Sequence, residues 1–126
     1  MKKILIVDDS PFFRSLLKDA LRRDSFNGDD ELQILEAKNA ITAMDQIKNE
    51  NPNLVLLDIV MEESELEGIK LLENIRDSYP DLKVIMLTSV GQETIVKKCF
   101  DIGVRDYLEK PFDTAKLVQV VKANLN

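Results

Sequence analysis

Short runs of apolar residues alternate along this chain with longer amphipathic stretches. Continuous apolar runs are typical of strands that are buried on both faces, as in a parallel sheet. Strands are predicted at residues 4–7, 32–37, 54–57, 84–87 and 105–108, of which the second is the weakest. The pattern therefore predicts five strands separated by helices.

Apolar residues spaced three and four apart follow each strand and form one face of a helix. The first helix is predicted to begin at Ser10 and Pro11, because serine caps helices and proline is tolerated in the first turn. A turn or loop is predicted at 27–30. The apolar helix faces consist, in chain order, of Phe13, Leu16, Leu17, Ala20 and Leu21; Ala40, Ala43, Met44 and Ile47; Ile69, Leu72 and Ile75; Ile95, Val96, Cys99 and Phe100; and Leu117, Val121 and Leu125.

Strand–helix alternation repeated five times predicts an α/β fold of the (βα)5 type. Right-handed crossovers with short loops give a doubly wound, five-stranded parallel sheet, for which the flavodoxin-like order 2-1-3-4-5 is expected. The length of 126 residues, without an internal repeat or linker, predicts one domain over 1–126. Ligands of such folds bind where the strand order reverses, beyond the carboxyl ends of the strands.

Polar residues follow the predicted strands at that edge. Asp8 and Asp9 follow the first strand, Asp58 the third, Thr88 the fourth and Lys110 the fifth. Four of these residues have an ordinary alternative, since Asp8 and Thr88 are suited to capping helices, Asp58 to a loop and Lys110 to a solvated surface. Their convergence on one crevice favours a functional site.

Three clustered carboxylates repel one another, so either one pKa rises or a cation lies among them. Mg²⁺ suits an all-oxygen site and commonly keeps waters and phosphate oxygens as further ligands. The cluster therefore predicts Mg²⁺ and a phosphoryl ligand. Asp58 is then placed to be a nucleophile that forms an aspartyl-phosphate, Lys110 to neutralise phosphoryl oxygens and Thr88 to donate a hydrogen bond.

The composition argues against several other classes of function. Twenty-three acidic residues outnumber 17 basic ones, giving a net charge of −6, which disfavours nucleic acid and anionic membranes as partners. No histidine is present, so histidine-based catalysis or metal binding within this chain is excluded. The single cysteine, Cys99, and the lack of a signal peptide or a membrane-spanning apolar run predict a cytoplasmic protein.

Four segments, ILIVDDS, NLVLLDIVM, VIMLTS and GVRDYLEKPF, together resemble the receiver domain of two-component response regulators, over nearly the whole chain. The resemblance implies that Asp58 accepts the phosphoryl group. It implies that Asp9, Asp58 and the backbone carbonyl of Val60 bind Mg²⁺ directly, and that Asp8 does so through water.

The same resemblance implies that Thr88 is the switch residue, whose hydroxyl moves toward the phosphoryl group. It also implies that Lys110 contacts the phosphoryl group and that the peptide bond between Lys110 and Pro111 is cis. Tyr107 resembles the aromatic residue that moves inward with Thr88. The alternative for Tyr107 is a core aromatic of the fifth strand.

The loop after Asp58 departs from the family pattern. Glu62 stands where proline is usual and Gly68 arrives two residues late, so the loop is longer and strongly acidic over 62–67. Its charge could repel or select a phosphodonor, or the loop could simply be solvated. Val60 and Val90 stand where family members control attack by water. Neither can orient a water molecule, which predicts slow self-dephosphorylation.

These observations predict a receiver that is not an enzyme, except toward its own phosphoryl group. A histidine kinase or phosphorelay partner would phosphorylate it, and the response would be altered binding of a protein through the surface of helix 4, strand 5 and helix 5. That surface includes Val96, Phe100 and Tyr107. Because the chain ends after the fifth helix, no effector domain is expected.

Three other functions share part of this residue pattern. A haloacid-dehalogenase-type phosphatase needs a second acid where Ser10 stands. A flavodoxin-like FMN binder would place Asp8 and Asp9 against the cofactor phosphate. A phosphorylation-independent receiver-like binding module would not need the complete set of acids, hydroxyl and lysine.

Overall fold

The structure is a computed structural model that describes residues 2–23, 32–59, 65–89, 93–110 and 112–125. Five parallel strands form one sheet in the order β2-β1-β3-β4-β5, which confirms the predicted flavodoxin-like fold. The strands are β1 (Lys2–Val7), β2 (Leu32–Ala37), β3 (Leu54–Asp58), β4 (Lys83–Ser89) and β5 (Asp106–Lys110). The helices are α1 (Pro11–Arg23), α2 (Ala40–Glu50), α3 (Glu65–Ser78), α4 (Glu93–Ile102) and α5 (Thr114–Leu125). The loop predicted at 27–30 lies outside the described residues.

The sheet separates two apolar clusters, as the alternation of side chains along a strand requires. Leu5 and Val7 of β1 face the cluster built with α2, α3 and α4. Ile4 and Ile6 face the cluster built with α1 and α5. Both faces of β1 and β3 are therefore buried, which explains why these strands consist of continuous apolar runs.

Local hydrogen bonds explain where the helices begin and end. The Ser10 hydroxyl accepts a hydrogen bond of 3.2 Å from the backbone N–H of Phe13, so Ser10 caps α1 as predicted. The Asn39 side chain accepts a hydrogen bond of 2.9 Å from the N–H of Thr42 and caps α2. Gly103 follows α4 with a φ of 128°, a backbone conformation that favours glycine. Among the described helices, none is long and apolar enough to cross a membrane.

At their carboxyl ends, β4 and β5 extend beyond the apolar residues that predict them. β4 continues through Thr88 to Ser89, and β5 begins at Asp106 rather than 105 and continues to Lys110. The reason is the backbone pairing of β4 with β5, in which Ser89 lies opposite Lys110. Thr88 and Lys110 consequently project from regular strands rather than from loops.

Gly68 fixes the position of α3 against the end of β3. A Cβ atom at residue 68 would lie 2.3 Å from the carbonyl oxygen of Ile59, so only glycine permits this approach. Ile59 directly follows Asp58. The two extra residues of this loop therefore lie between Ile59 and Gly68, and the close contact between helix and strand end is kept.

Candidate functional site

The crevice predicted from the strand ends is present and is acidic. Asp8 and Asp9 follow β1, and Asp58 ends β3, its neighbour in the sheet. One carboxylate oxygen from each of the three lies within 4.8 Å of the other two. The side chains of Asp8 and Asp58 are almost completely buried. The convergence expected from the sequence is therefore found at this edge.

The two carboxylate oxygens of Asp8 differ in their hydrogen bonding. Its Oδ1 accepts a hydrogen bond of 2.9 Å from the N–H of Ser10. Its Oδ2 is buried and has no hydrogen-bond donor among the described residues. Burial raises the pKa of Asp8 above its ordinary value, against the opposing effects of the Ser10 hydrogen bond and the Lys110 charge. A buried oxygen of this kind fits a cation ligand, and a cluster of three carboxylates fits Mg²⁺.

Lys110 supplies a positive charge to the crevice. Its Nζ lies 3.3 Å from Asp58 Oδ2 and 3.8 Å from Asp8 Oδ2. The ring centroid of Phe13, a residue of α1, lies 4.0 Å from the same nitrogen. Sequence reasoning assigned Phe13 only to the apolar face of the first helix, so its contact with Lys110 was missed. The only signal for it was its place in the first turn after Asp8 and Asp9.

Thr88 lies on β4, between the strands that end in Asp58 and Lys110. Its side chain is 1% exposed, and its hydroxyl donates a hydrogen bond of 3.4 Å to the backbone carbonyl of Ser89. In the strand pairing Asp58 lies opposite Leu87, so Thr88 stands one position beyond it. The fold thus brings all five residues predicted from the strand ends to one edge.

Tyr107 lies away from the crevice. Its ring packs edge-on against Phe100 of α4, with 5.9 Å between centroids and 89° between planes. The two side chains are 39% and 42% exposed. The alternative that Tyr107 is a core aromatic is therefore wrong. Val96, which was predicted to belong to the same surface, is half-buried against the core cluster.

Sequence reasoning also missed a set of contacts that links β2 to the residues that follow β1. Arg14 donates a hydrogen bond of 2.6 Å to the backbone carbonyl of Asp8 and one of 3.0 Å to Glu36. Lys18 donates one of 2.9 Å to the other oxygen of Glu36. These ion pairs lower the pKa of Glu36, with the Lys18 hydrogen bond the largest cause. The spacing of two basic residues four apart on α1 was a visible but unused signal.

Several predicted features lie outside the described residues: Val60, Val90, Pro111, Glu62 and Glu63. Glu65 begins α3, and Glu67 belongs to its first turn. The acidic stretch predicted as a loop over 62–67 is therefore helical in its last part.

Comparisons with known proteins agree with this site. A family model described as "Response regulator receiver domain" matches residues 4–122. Chemotaxis protein CheY of Bacillus subtilis (strain 168) is 32% identical, with 98% of each chain covered. Transcriptional regulatory protein SrrA of Staphylococcus aureus (strain NCTC 8325 / PS 47) is 37% identical over 98% of this chain and 47% of SrrA. The crystal structure of the receiver domain of NtrX from Brucella abortus matches with a TM-score of 0.83 at 31% identity, covering 97% of each chain.

The fold, the acidic crevice and these similarities define a signalling domain of two-component systems. The chain belongs to the response regulator receiver family, of the CheY-like type. Receiver domains are signalling domains rather than classical enzymes, and they interact with kinases and downstream effectors.

Proposed function

We propose that this receiver accepts a phosphoryl group on Asp58 from a histidine kinase or a phosphotransfer protein, and that the modification switches its binding to a protein target. The observation that carries the proposal is the position of Lys110 Nζ, 3.3 Å from Asp58 Oδ2, beside two further carboxylates. A nucleophilic carboxylate with a cation at its edge suits transfer of an anionic group.

The chemistry requires little beyond alignment and charge neutralisation. An Asp58 carboxylate oxygen forms a bond to phosphorus, while the bond from phosphorus to the donor's leaving atom breaks. The leaving atom keeps that electron pair. Lys110 neutralises charge on the phosphoryl oxygens, and the Thr88 hydroxyl donates a hydrogen bond to one of them.

Mg²⁺ is the proposed cofactor. Asp9, Asp58 and the backbone carbonyl of Val60 would hold it directly, and Asp8 would hold it through water. The buried Asp8 Oδ2, which lacks a donor in the described part of the chain, supports this assignment. When bound, the ion supplies the positive charge that lets an anionic donor approach three carboxylates.

The switch is proposed to pass from Thr88 to Tyr107. Movement of Thr88 toward the phosphoryl group vacates space, and Tyr107 leaves its contact with Phe100 and turns inward. The target is a protein bound by the surface of α4, β5 and α5, to which Phe100 and Tyr107 contribute exposed rings. The net charge of −6 supports a protein rather than a nucleic acid as this partner.

Intact mass spectrometry tests the central step. The protein is incubated with acetyl phosphate and Mg²⁺, and addition of one phosphoryl group is expected. Asp58→Asn should abolish the addition, whereas Asp45→Asn, which changes an exposed acid on α2, should not. Labelling that survives Asp58→Asn, or catalytic turnover of a generic phosphate ester, contradicts the proposal. Equal binding of the target in both states would instead favour a phosphorylation-independent module.

The phosphorylated state is proposed to be long-lived, because the side chains of Val60 and Val90 have no group that orients water. Val60→Asn should accelerate loss of the phosphoryl group, measured as decay of the phosphorylated mass after the donor is removed. Rapid loss from the unmodified protein would refute this part.

A further inference from the structure

We propose that Phe13 is a positioning residue for Lys110: its aromatic face holds the ammonium against Asp58 and Asp8 and so raises the rate of transfer to Asp58. The part of this inference that concerns rate rests on the proposed function. The contact itself is a property of the folded domain and can be measured without any phosphodonor.

Among the described residues, three groups lie close to the Lys110 ammonium. Asp58 Oδ2 is at 3.3 Å, Asp8 Oδ2 is at 3.8 Å and the Phe13 ring centroid is at 4.0 Å. The face of a benzene ring carries negative charge density and attracts a cation within about 6 Å of its centroid. The 3.8 Å separation is too long for a hydrogen bond, so Asp58 alone accepts one from this ammonium in the described structure. The ring therefore adds an attraction for the ammonium to those of the two carboxylates.

Phe13 is itself well anchored. Its N–H donates to the Ser10 hydroxyl, which fixes it in the first turn of α1. Its ring meets that of Phe112 with 6.0 Å between centroids and 73° between planes, and it packs against the apolar cluster of α1 and α5. A ring held by these contacts loses little freedom when the ammonium settles on it.

Lys110 needs such a partner because its side chain remains accessible. It is 26% exposed, and a lysine stem with four carbons can turn toward water. During transfer from acetyl phosphate, the Asp58 oxygen bonds to phosphorus and acetate leaves with the electron pair of the broken P–O bond. The ammonium must be near the phosphoryl oxygens at that moment. A ring that keeps it in the crevice raises the fraction of time for which it is available.

A double-mutant cycle tests the role. Phe13→Leu keeps an apolar side chain but removes the aromatic face, and it should slow phosphorylation by acetyl phosphate about fivefold at saturating Mg²⁺. In a Lys110→Ala background the same substitution should have no further effect. Phe12→Leu, an identical change at the adjacent, 73% exposed residue of α1, is the matched control and should leave the rate unchanged. Equal slowing with and without Lys110 would show that Phe13 acts through packing, and would overturn the proposal.

Nuclear magnetic resonance provides the arm that needs no phosphorylation. The ε-methylene protons of Lys110 should lie upfield of those of the other lysines because of the ring current, and Phe13→Leu should return them to the ordinary range. Pentafluorophenylalanine at position 13, which keeps the shape but reverses the charge of the ring face, should also release Lys110. Unshifted protons in the unmodified protein would overturn the inference. If the Lys110 protons lie upfield as expected but the protein takes up no phosphoryl group, the proposed function is overturned and the contact is established.

Discussion

Arg14 donates a hydrogen bond of 2.6 Å to the backbone carbonyl of Asp8, and its Nε is 3.0 Å from Glu36 on β2. An ion pair at the edge of the sheet is thereby joined to the loop that carries Asp8 and Asp9. Ion pairs at surfaces contribute little to stability, but this one also fixes a backbone group beside the acidic crevice.

Glu36→Gln should therefore weaken both the fold and the metal site. Because the Glu36 side chain is 35% exposed, solvent screening limits the loss of unfolding free energy to about 0.5–1 kcal/mol. Mg²⁺ affinity, measured by calorimetry, should fall by roughly two- to fivefold as the loop gains freedom. An unchanged affinity would show that the Arg14 contacts do not position Asp8.

The stability supplied by Glu36 should depend on pH. Its pKa is lowered in the folded protein from an ordinary value of 4.5, so its contribution is complete above that value and is lost as the pH falls through the lower folded pKa. Urea unfolding between neutral and acidic pH should show the native protein and Glu36→Gln converging in acid. A constant difference across that range would contradict the assignment.

Removing the Lys110 charge should have opposite effects on two measurements. Lys110→Ala leaves Asp58 and Asp8 without their nearby ammonium, which should lower the metal-free free energy of unfolding by about 1–3 kcal/mol. The same loss of positive charge should tighten Mg²⁺ binding by roughly threefold or more in calorimetry. Lys116→Ala, at an exposed position of α5, is the control and should change neither. Weaker Mg²⁺ binding in Lys110→Ala would contradict the geometry.

Asp8→Asn should stabilise the metal-free domain while weakening Mg²⁺ binding. Burial raises the folded pKa of Asp8 above 3.8, so its contribution to stability is fully present below the unfolded pKa and is lost as the pH rises through the folded pKa. At neutral pH the ionised group therefore opposes folding. Asparagine keeps an oxygen for the Ser10 N–H, and the melting temperature should rise by a few degrees without Mg²⁺. A lower melting temperature at neutral pH would refute the argument.

Gly68→Ala should disrupt the contact between α3 and the end of β3. The added methyl group would meet the Ile59 carbonyl oxygen at 2.3 Å, so the helix must move, at a cost of about 1–3 kcal/mol. Because Ile59 follows Asp58, the shift should also slow phosphorylation. Lys70→Ala, at an exposed site on the same helix, is the control for helix propensity. Equal stability of the two variants would show that α3 does not pack as described.

Phe100→Leu should release Tyr107. An edge-to-face aromatic pair contributes about 0.5–1.5 kcal/mol, so its loss should raise the inward population of Tyr107 by roughly two- to tenfold. Tyr107 ring resonances in the unphosphorylated domain report that population. Identical resonances in both proteins would show that Phe100 does not hold the outward conformation.

The order of the strands and the meeting of Asp8, Asp9, Asp58, Thr88 and Lys110 were predictable because each depends on a property visible in the chain. Continuous apolar runs locate buried parallel strands, and parallel strands end at a common edge. The ends of β4 and β5 were not predictable in this way. Their last residues are polar, and hydrogen bonding between strands, rather than hydrophobic spacing, extends them.

The contacts around the crevice were beyond sequence reasoning for a different reason. Helical spacing assigns Phe13 to a face of α1, but only the folded arrangement of α1 and β5 brings its ring over Lys110. The Arg14–Glu36 pair likewise depends on the side-by-side placement of α1 and β2. Such pairs link residues distant in sequence through side-chain geometry, which no local pattern records.

Lys110 and Tyr107 belong to one short strand, yet they touch opposite layers of the molecule: Lys110 meets α1 and Tyr107 meets α4. Their separation by three positions in an alternating strand has this result. The proposed chemistry on one side and the proposed recognition on the other can thus proceed without steric conflict. A one-residue deletion between them would leave a separation of two positions and place the amine and the phenol on the same face of the sheet.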